Sequence, residues 1–289
     1  MPVETLKDAI FWAMKENLAL QFLYPDYVLP DEYKSVIAET YHTDIVSSAC
    51  EDTELRAEAD VVVLDSLAAI NFFKFAKTQS YVFRATLNDL LESGVMLDVV
   101  LPYVDRLNIV ITDISSFAKK DEERYKTFLE HLAHKIAEEY RSGHGVQVNL
   151  LTDRILLDSM NNCNAGVETI SICPDGRFYV CPAFYGDEGN SVGNLKDGLV
   201  VKNQQLYRLD HAPICRICDA YHCRRCVWLN RGTTHEVNTP GHEQCAASHI
   251  ERNASRMLLD EIREIGQFMP GKEIPELSYL DPFDKLIKN

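Results

Sequence analysis

Along the first half of the chain, short runs of β-branched and aromatic residues alternate with longer stretches whose apolar positions recur every three or four residues. Six runs have strand character: residues 18–24 (LALQFLY), 43–47 (TDIVS), 61–65 (VVVLD), 81–85 (YVFRA), 107–112 (LNIVIT) and 146–151 (VQVNLL). The near-continuous apolar run VVVLD is the pattern of a strand buried on both faces. The clearest helix covers residues 121–141: acidic residues open it, Phe128, Leu132 and Ile136 recur at a spacing of four, and Gly143 follows as a stop. It is expected to cross over between the fifth and sixth strands. This alternation predicts an α/β fold, a parallel sheet covered by helices.

After residue 151 the texture changes to short strands, turns and cysteines. Residues 169–180 (TISICPDGRFYV) predict a β-hairpin, because two alternating runs flank the turn tripeptide Pro174, Asp175 and Gly176. A last helix is expected over residues 248–265, ended by Gly266, with an irregular tail beyond it (EIPELSYLDPFDKLIKN). No repeat of fixed period and no low-complexity linker interrupts the chain.

Composition narrows the class. With 289 residues, 46% of them hydrophobic, the chain can bury an ordinary core, and no run of about 18 apolar residues suggests a membrane span. Glu4, Lys7, Asp8, Lys15 and Glu16 are scattered through the first twenty residues, unlike a signal peptide, so a cytoplasmic location is expected. A formal net charge of -15 without a Lys/Arg-rich stripe repels phosphate backbones, which argues against nucleic acid and anionic membranes as partners. An acidic surface suits a basic peptide or protein partner. The sequence has no G-x-G-x-x-G after a strand, no P-loop and no G-x-S-x-G elbow, so conventional nucleotide and hydrolase chemistry has no support.

Of nine cysteines, eight fall after residue 160, a clustering that points to metal rather than to a disulfide framework in a reducing compartment. Seven form an ordered pattern: Cys163, then Gly176 and Cys181 across the hairpin, then Cys215, Cys218, Cys223 and Cys226, and finally Cys245. A C-x2-C knuckle brings two thiolates to one centre from one tight turn. Two knuckles only four residues apart crowd four thiolates together, whereas a zinc ribbon separates its knuckles by roughly 12 to 20 residues. Tight runs that serve two clusters occur in ferredoxins. The pattern therefore favours iron–sulfur, with zinc as the rival.

The ordered cysteines, with PDG before Cys181 and GNLKDGL (193–199) after it, resemble the SPASM domain, the auxiliary-cluster domain appended to many radical SAM enzymes that modify peptides and proteins. The likeness covers about residues 160–250. The stretches CRRCVWLN and NTPGHEQCAASHIERNAS further resemble maturases of CXXX-repeat peptides, which are ribosomally made and modified after translation (RiPPs). The resemblance implies two 4Fe–4S clusters, the second on Cys215, Cys218, Cys223 and Cys245 and the first on Cys163, Cys181 and Cys226. Family members often add a ligand just upstream of the first of these, but RILLDSMNN before Cys163 has no cysteine. Either Cys173 substitutes or one iron keeps an open or non-cysteine position. The family's usual C-x5-C-x3-C is shortened here to C-x4-C-x2-C.

The resemblance also implies a partial (βα)6 barrel of radical SAM type over residues 1–157, followed by a SPASM-like iron–sulfur domain with a C-terminal helix and tail over 158–289. Radical SAM enzymes hold their catalytic cluster with C-x3-C-x2-C after the first strand, three thiolates leaving one iron free for S-adenosylmethionine. Here that loop reads PDYVLPDEYKS and has no cysteine, and Cys50 is alone in the first half. The barrel is thus expected to be degenerate, with S-adenosylmethionine not expected as a cofactor. The expected role is a non-catalytic iron–sulfur component of a RiPP modification system. It would bind a precursor peptide or an active radical SAM maturase, its clusters scaffolding the fold or relaying electrons. The alternatives are a peptide-modifying enzyme using an open-site auxiliary cluster and a zinc scaffold.

Several residues carry plainer readings. Cys50 lies in an acidic stretch and reads as an incidental thiol, Cys173 as core filler or ligand. His222 and His242 neighbour cluster cysteines and are expected beside a cluster or at the surface, and the His131 and His134 pair is taken as a surface feature. Asp26, Asp31 and Glu32 are explained by capping and solvation. Arg224, Arg225 and Arg252 either place positive charge near clusters or pair with the abundant carboxylates.

Overall fold

The computed structural model of the chain describes residues 1–157, 163–212, 214–221, 223 and 226–276. His222, Arg224, Arg225, residue 158 at the expected boundary and the tail from 277 lie outside the described residues.

All six expected strands form: β1 (Leu20–Leu23), β2 (His42–Ser47), β3 (Val61–Leu64), β4 (Ser80–Ala85), β5 (Arg106–Ile111) and β6 (Gln147–Val148). They pair side by side in chain order, every pair parallel. β6 is shorter than the apolar run suggests because the Asn149 side chain takes over the ladder. Its Oδ1 accepts from Ile109 N (2.8 Å) and its Nδ2 donates to Ile109 O (3.1 Å), which imitates a peptide group.

Helices cover this sheet: α1 (Val3–Lys15), α2 (Asp31–Ala38), α3 (Thr53–Glu58), α4 (Leu87–Ser93), α5 (Glu122–Arg141) and α6 (Thr152–Leu156). The crossover helix α5 begins within a residue of the expected position. Its Tyr125, Leu129, Leu132, Ala133 and Ile136 are buried in one core with Val62, Leu64, Tyr81, Phe83, Leu107 and Ile109. Each such large apolar side chain contributes about 1.5–3 kcal/mol by leaving water. Asp52 caps α3 by accepting from Leu55 N (3.2 Å), and Thr86 caps α4 through Asp89 N (3.1 Å). Pro30 precedes α2 without a side-chain cap, so Asp31 and Glu32 serve as first-turn acids rather than caps.

The second half holds a small antiparallel sheet. β7 (Ser171–Ile172) and β8 (Arg177–Tyr179) form the expected hairpin, continued by β9 (Ser191–Asn194) and β10 (Gly198–Leu199) in the order β10-β9-β8-β7. Gly176 takes φ +74° in the hairpin turn, and at Gly193 a Cβ would stand 2.1 Å from the Gly198 carbonyl oxygen. The apolar cluster here is modest: Ala165, Cys173, Tyr179, Val180, Phe184 and Val227. Trp12 of α1 lies against Phe178 with ring centroids 4.6 Å apart, tying this sheet to the first half.

Two helices follow, α7 (Val227–Thr233) and α8 (His242–Ile265). The last helix starts at His242 rather than at residue 248, so Cys245 sits in its opening turns. Ala246, Ala247, Ile250, Ala254, Leu258, Leu259 and Ile262 of α8 join the core of the parallel sheet and α5. Among the described residues no helix is long and apolar enough to cross a membrane.

Candidate metal centre

The thiols of the second half fall into two electrostatic neighbourhoods. Cys163 and Cys181 are both raised above the ordinary thiol value, first by desolvation of their sulfurs and then by Cys226, and Cys163 also raises Cys181. Cys181 precedes the turn Pro182–Phe184 and Cys226 directly precedes α7 without a side-chain cap bond, so three different local structures deliver this group. Cys163 is exposed, and Cys181 and Cys226 are half-buried.

The second neighbourhood is deeper. Burial pushes the Cys223 thiol up to about 12, with Cys215 and Cys218 adding to the rise. Cys218 N donates to Cys215 O (3.1 Å) and Cys223 N to Ala220 O (2.8 Å), which folds the two knuckles tightly. Cys245 is buried on α8, and Ser248, one turn along, donates its hydroxyl to Cys223 Sγ (3.4 Å). Cys163, Cys181 and Cys226 thus influence one another, as do Cys215, Cys218 and Cys223, and Cys245 lies on the helix that borders the second group.

The sulfurs in these groups are hydrogen-bond acceptors. Ala165 donates its backbone N–H to Cys163, Ala183 to Cys181 and Ala220 to Cys218 (3.4 Å), in each case from two residues downstream. A neutral thiol is a weak acceptor, whereas a thiolate gains from each donor, so this repeated turn suits metal-bound sulfur. Cys50 behaves oppositely. It is buried in the sheet core and its Sγ donates to Pro25 O (3.7 Å), the bonding of a protonated thiol. Its burial follows from the turn after β2 folding back onto the loop after β1.

Cys173 faces into the small apolar cluster beside Tyr179 and Phe184, and burial, then Asp175 and Cys181, push its thiol up to about 11. It neighbours the first group without a sulfur-directed donor among the described bonds.

Among the described residues, no group of three or more His, Cys, Asp or Glu side chains is drawn close enough to hold a single metal ion. A lone zinc takes its ligands in one shell of about 2.0–2.3 Å. The thiol donors and the sulfur-directed N–H groups suit a metal-bound thiolate, of iron or of zinc.

The side chains around Cys218 include three that the spacing of cysteines alone does not reveal. His249 Nε2 stands 3.9 Å from Cys218 Sγ, and Arg252 and Arg154 both act to lower the Cys218 thiol, against its dominant desolvation. His249 is four residues after Cys245, a spacing that puts both on one face of a helix, and this is the signal that could have singled it out. Arg252 is ion-paired with Asp219, one of the two roles expected as alternatives, and lies near Cys218. Arg154, Asp219, Tyr221, Arg252 and Lys272 line a cleft of about 360 Å³ alongside. His131 and His134 do not converge on a site, since His131 bonds Asp98 (2.9 Å) and His134 bonds Glu261 (2.5 Å). His242 opens α8 at the surface.

At the carboxyl end of the parallel strands, the loop after β1 is tied down by its neighbours. Glu51 N donates to Asp26 O (2.6 Å), and Lys34 pairs with Asp52 (2.6 Å).

No family model and no curated protein matches the chain in sequence. Solved structures do match in fold. Native anSMEcpe with bound AdoMet aligns at TM-score 0.59 and 15% identity, covering 91% of this chain and 90% of that one. The same protein with bound AdoMet and a Cp18Cys peptide aligns at TM-score 0.59 and 15% identity, covering 92% of each chain. A third, with AdoMet and a Kp18Cys peptide, aligns at TM-score 0.52 and 13% identity over 91% of this chain and 90% of that one. The chain therefore shares its overall fold with these AdoMet- and peptide-bound structures.

Proposed function

We propose that the chain is an iron–sulfur protein of a peptide-modification system. Its C-terminal half is a SPASM-like domain with two clusters, and its sheet half is a degenerate radical SAM barrel. The observation that carries this reading is the grouping of hydrogen-bond-accepting sulfurs into two neighbourhoods in the second half, within a fold whose solved counterparts hold AdoMet and peptides.

The first centre draws on Cys163, Cys181 and Cys226, with Cys173 beside them, and the second on Cys215, Cys218, Cys223 and Cys245. Bound clusters supply one-electron transfer and cross-link segments far apart in sequence. The chain's residues bury Cys173, Cys215, Cys223 and Cys245, direct N–H groups at several sulfurs and, at the second centre, place the ion-paired Arg154 and Arg252 nearby. The loop after β1 has no cysteine, which supports a role without S-adenosylmethionine cleavage, as the partner of a precursor peptide or of an active radical SAM maturase.

A second reading is an enzyme acting through an open iron of the first centre. It draws on the exposure of Cys163 and the lack of a cysteine just upstream.

Anaerobic purification with iron, sulfide and zinc analysis tests the metal, and incubation of reduced protein with S-adenosylmethionine tests the chemistry. Iron and inorganic sulfide with visible charge-transfer absorption, and no 5′-deoxyadenosine, are expected. Stoichiometric zinc without iron defeats the cluster assignment, and deoxyadenosine formation by the isolated chain defeats the degenerate barrel. Peptide turnover without a partner would select the second reading.

A further inference from the structure

Resting on the cluster reading above, we propose that His249, seconded by Ser248, is a positioning residue that sets the reduction potential of the second centre by hydrogen bonding to its cysteine sulfurs.

The two thiol groups differ in kind. In the first, the described donors to sulfur are backbone N–H groups, from Ala165 and Ala183. In the second, a backbone donor at Ala220 is joined by two side chains on adjacent positions of α8: Ser248 Oγ, 3.4 Å from Cys223 Sγ, and His249 Nε2, 3.9 Å from Cys218 Sγ. Ser248 and His249 are both buried, at 3% and 4% exposure, so neither bond competes with bulk water. α8 is anchored by its apolar residues in the sheet core, which fixes where these two side chains stand. With Cys218 as a thiolate, Nε2 carries the proton and donates.

A hydrogen bond to a cluster sulfur withdraws negative charge, and the reduced cluster carries one more electron than the oxidised one, so the donor favours the reduced form. Arg252, 1% exposed, and Arg154, 2% exposed, are each paired with a carboxylate, Asp219 and Glu251, so the two side-chain donors are what distinguish this centre. The second centre is thereby prepared to hold an electron, and loss of either side-chain donor lowers its potential while leaving the first centre alone.

The test is an EPR-monitored redox titration of anaerobically purified full-length protein, with iron and sulfide content measured on each sample. His249→Leu and Ser248→Ala are expected to keep parental iron and sulfide, to lower the midpoint potential of one centre and to leave the other unchanged. His249→Gln retains an N–H donor and is expected to stay nearer the parent than His249→Leu. Unchanged potentials in both variants at parental iron content overturn the inference, as does an equal shift of both centres. Loss of iron in His249→Leu, with no potential change in Ser248→Ala, also overturns it and makes His249 a ligand. A parent protein with no iron–sulfur signal defeats the cluster reading itself, a result distinct from normal clusters whose potentials do not respond.

Discussion

Glu251 of α8 and Arg154 of α6 form an ion pair sealed inside the protein, their side chains 3% and 1% exposed. Tyr125 of α5 donates to the second Glu251 oxygen at 2.5 Å, and Arg154 also reaches Leu150 O at 2.6 Å. One carboxylate thus joins three helices. Because a buried charge left without its partner is expensive, Arg154→Met is expected to destabilise the protein by about 3–5 kcal/mol. The double variant Arg154→Met, Glu251→Gln should recover a large part of that loss, since it removes the stranded charge. Chemical denaturation of the three proteins checks this, and equal stability of the single and double variants would show that the pair is not the cause.

Cys218→Ser should strip iron from one centre, whereas Cys50→Ser should leave iron at the parental level. The Cys218 sulfur accepts from Ala220 N, and the Cys50 sulfur donates to Pro25 O, a bond that a serine hydroxyl also makes. Iron analysis separates the two, and equal loss from both variants would contradict the ligand map.

The Asp52 carboxyl is held below its ordinary value of 3.8, mainly by the Lys34 ammonium and then by the Leu55 N–H that it caps. A carboxylate of this kind adds stability that is complete above its ordinary pKa and is lost as pH falls through the lowered folded value. Asp52→Asn, which keeps an oxygen to accept from Leu55 N but loses the pair with Lys34, should therefore cost about 0.2–1 kcal/mol at neutral pH, and the gap should narrow as the pH is taken below 3.8. Urea unfolding at a series of pH values follows it; a gap that widens in acid would refute the pairing.

Gly193→Ala should destabilise by about 1–3 kcal/mol, because φ there is +127° and the new Cβ would meet the Gly198 carbonyl. Gly198→Ala, at φ +86° with open space around it, should cost less. Thermal unfolding ranks the two, and the reverse order would mean that the close approach is absent in solution.

Chelation of metal should loosen the small sheet while sparing most of the helix content. The apolar cluster around Tyr179 and Phe184 is small, whereas α5 and α8 are held in the larger core. Tryptophan fluorescence is expected to change, since Trp12 rests on Phe178 and Trp228 follows Cys226 closely on α7, while far-UV dichroism falls little. A complete loss of dichroism would show that the sheet half depends on the metal.

The strand order was readable because the six β-branched runs must be buried between helices, and such runs differ from amphipathic helices in period. The extra turn and a half of α8 was not, because it opens with the polar residues His242, Glu243 and Gln244, so apolar periodicity begins late. α1 was not singled out either: Leu6, Ala9, Ile10 and Ala13 mark its buried face, with Glu4, Lys7 and Asp8 between them. The division of the cysteines into two sets was implied by the family resemblance, since spacing alone leaves open which turns approach one another. Neither gave a hint of Arg154 or Glu251, whose partners are set by packing between helices far apart in the chain.

α8 presents Cys245, Ser248 and His249 to the thiols and Ile250, Ala254, Leu258 and Ile262 to the core of the first half, turn by turn along one helix. A chimera that exchanged everything after residue 157 between two such proteins would import a helix fitted to another protein's α5. A graft of the cysteine-rich part alone would lose the donor face that borders its second centre. Recombination can keep both only by carrying α5 and α8 as a matched pair, so the unit of inheritance here is not a contiguous stretch of chain.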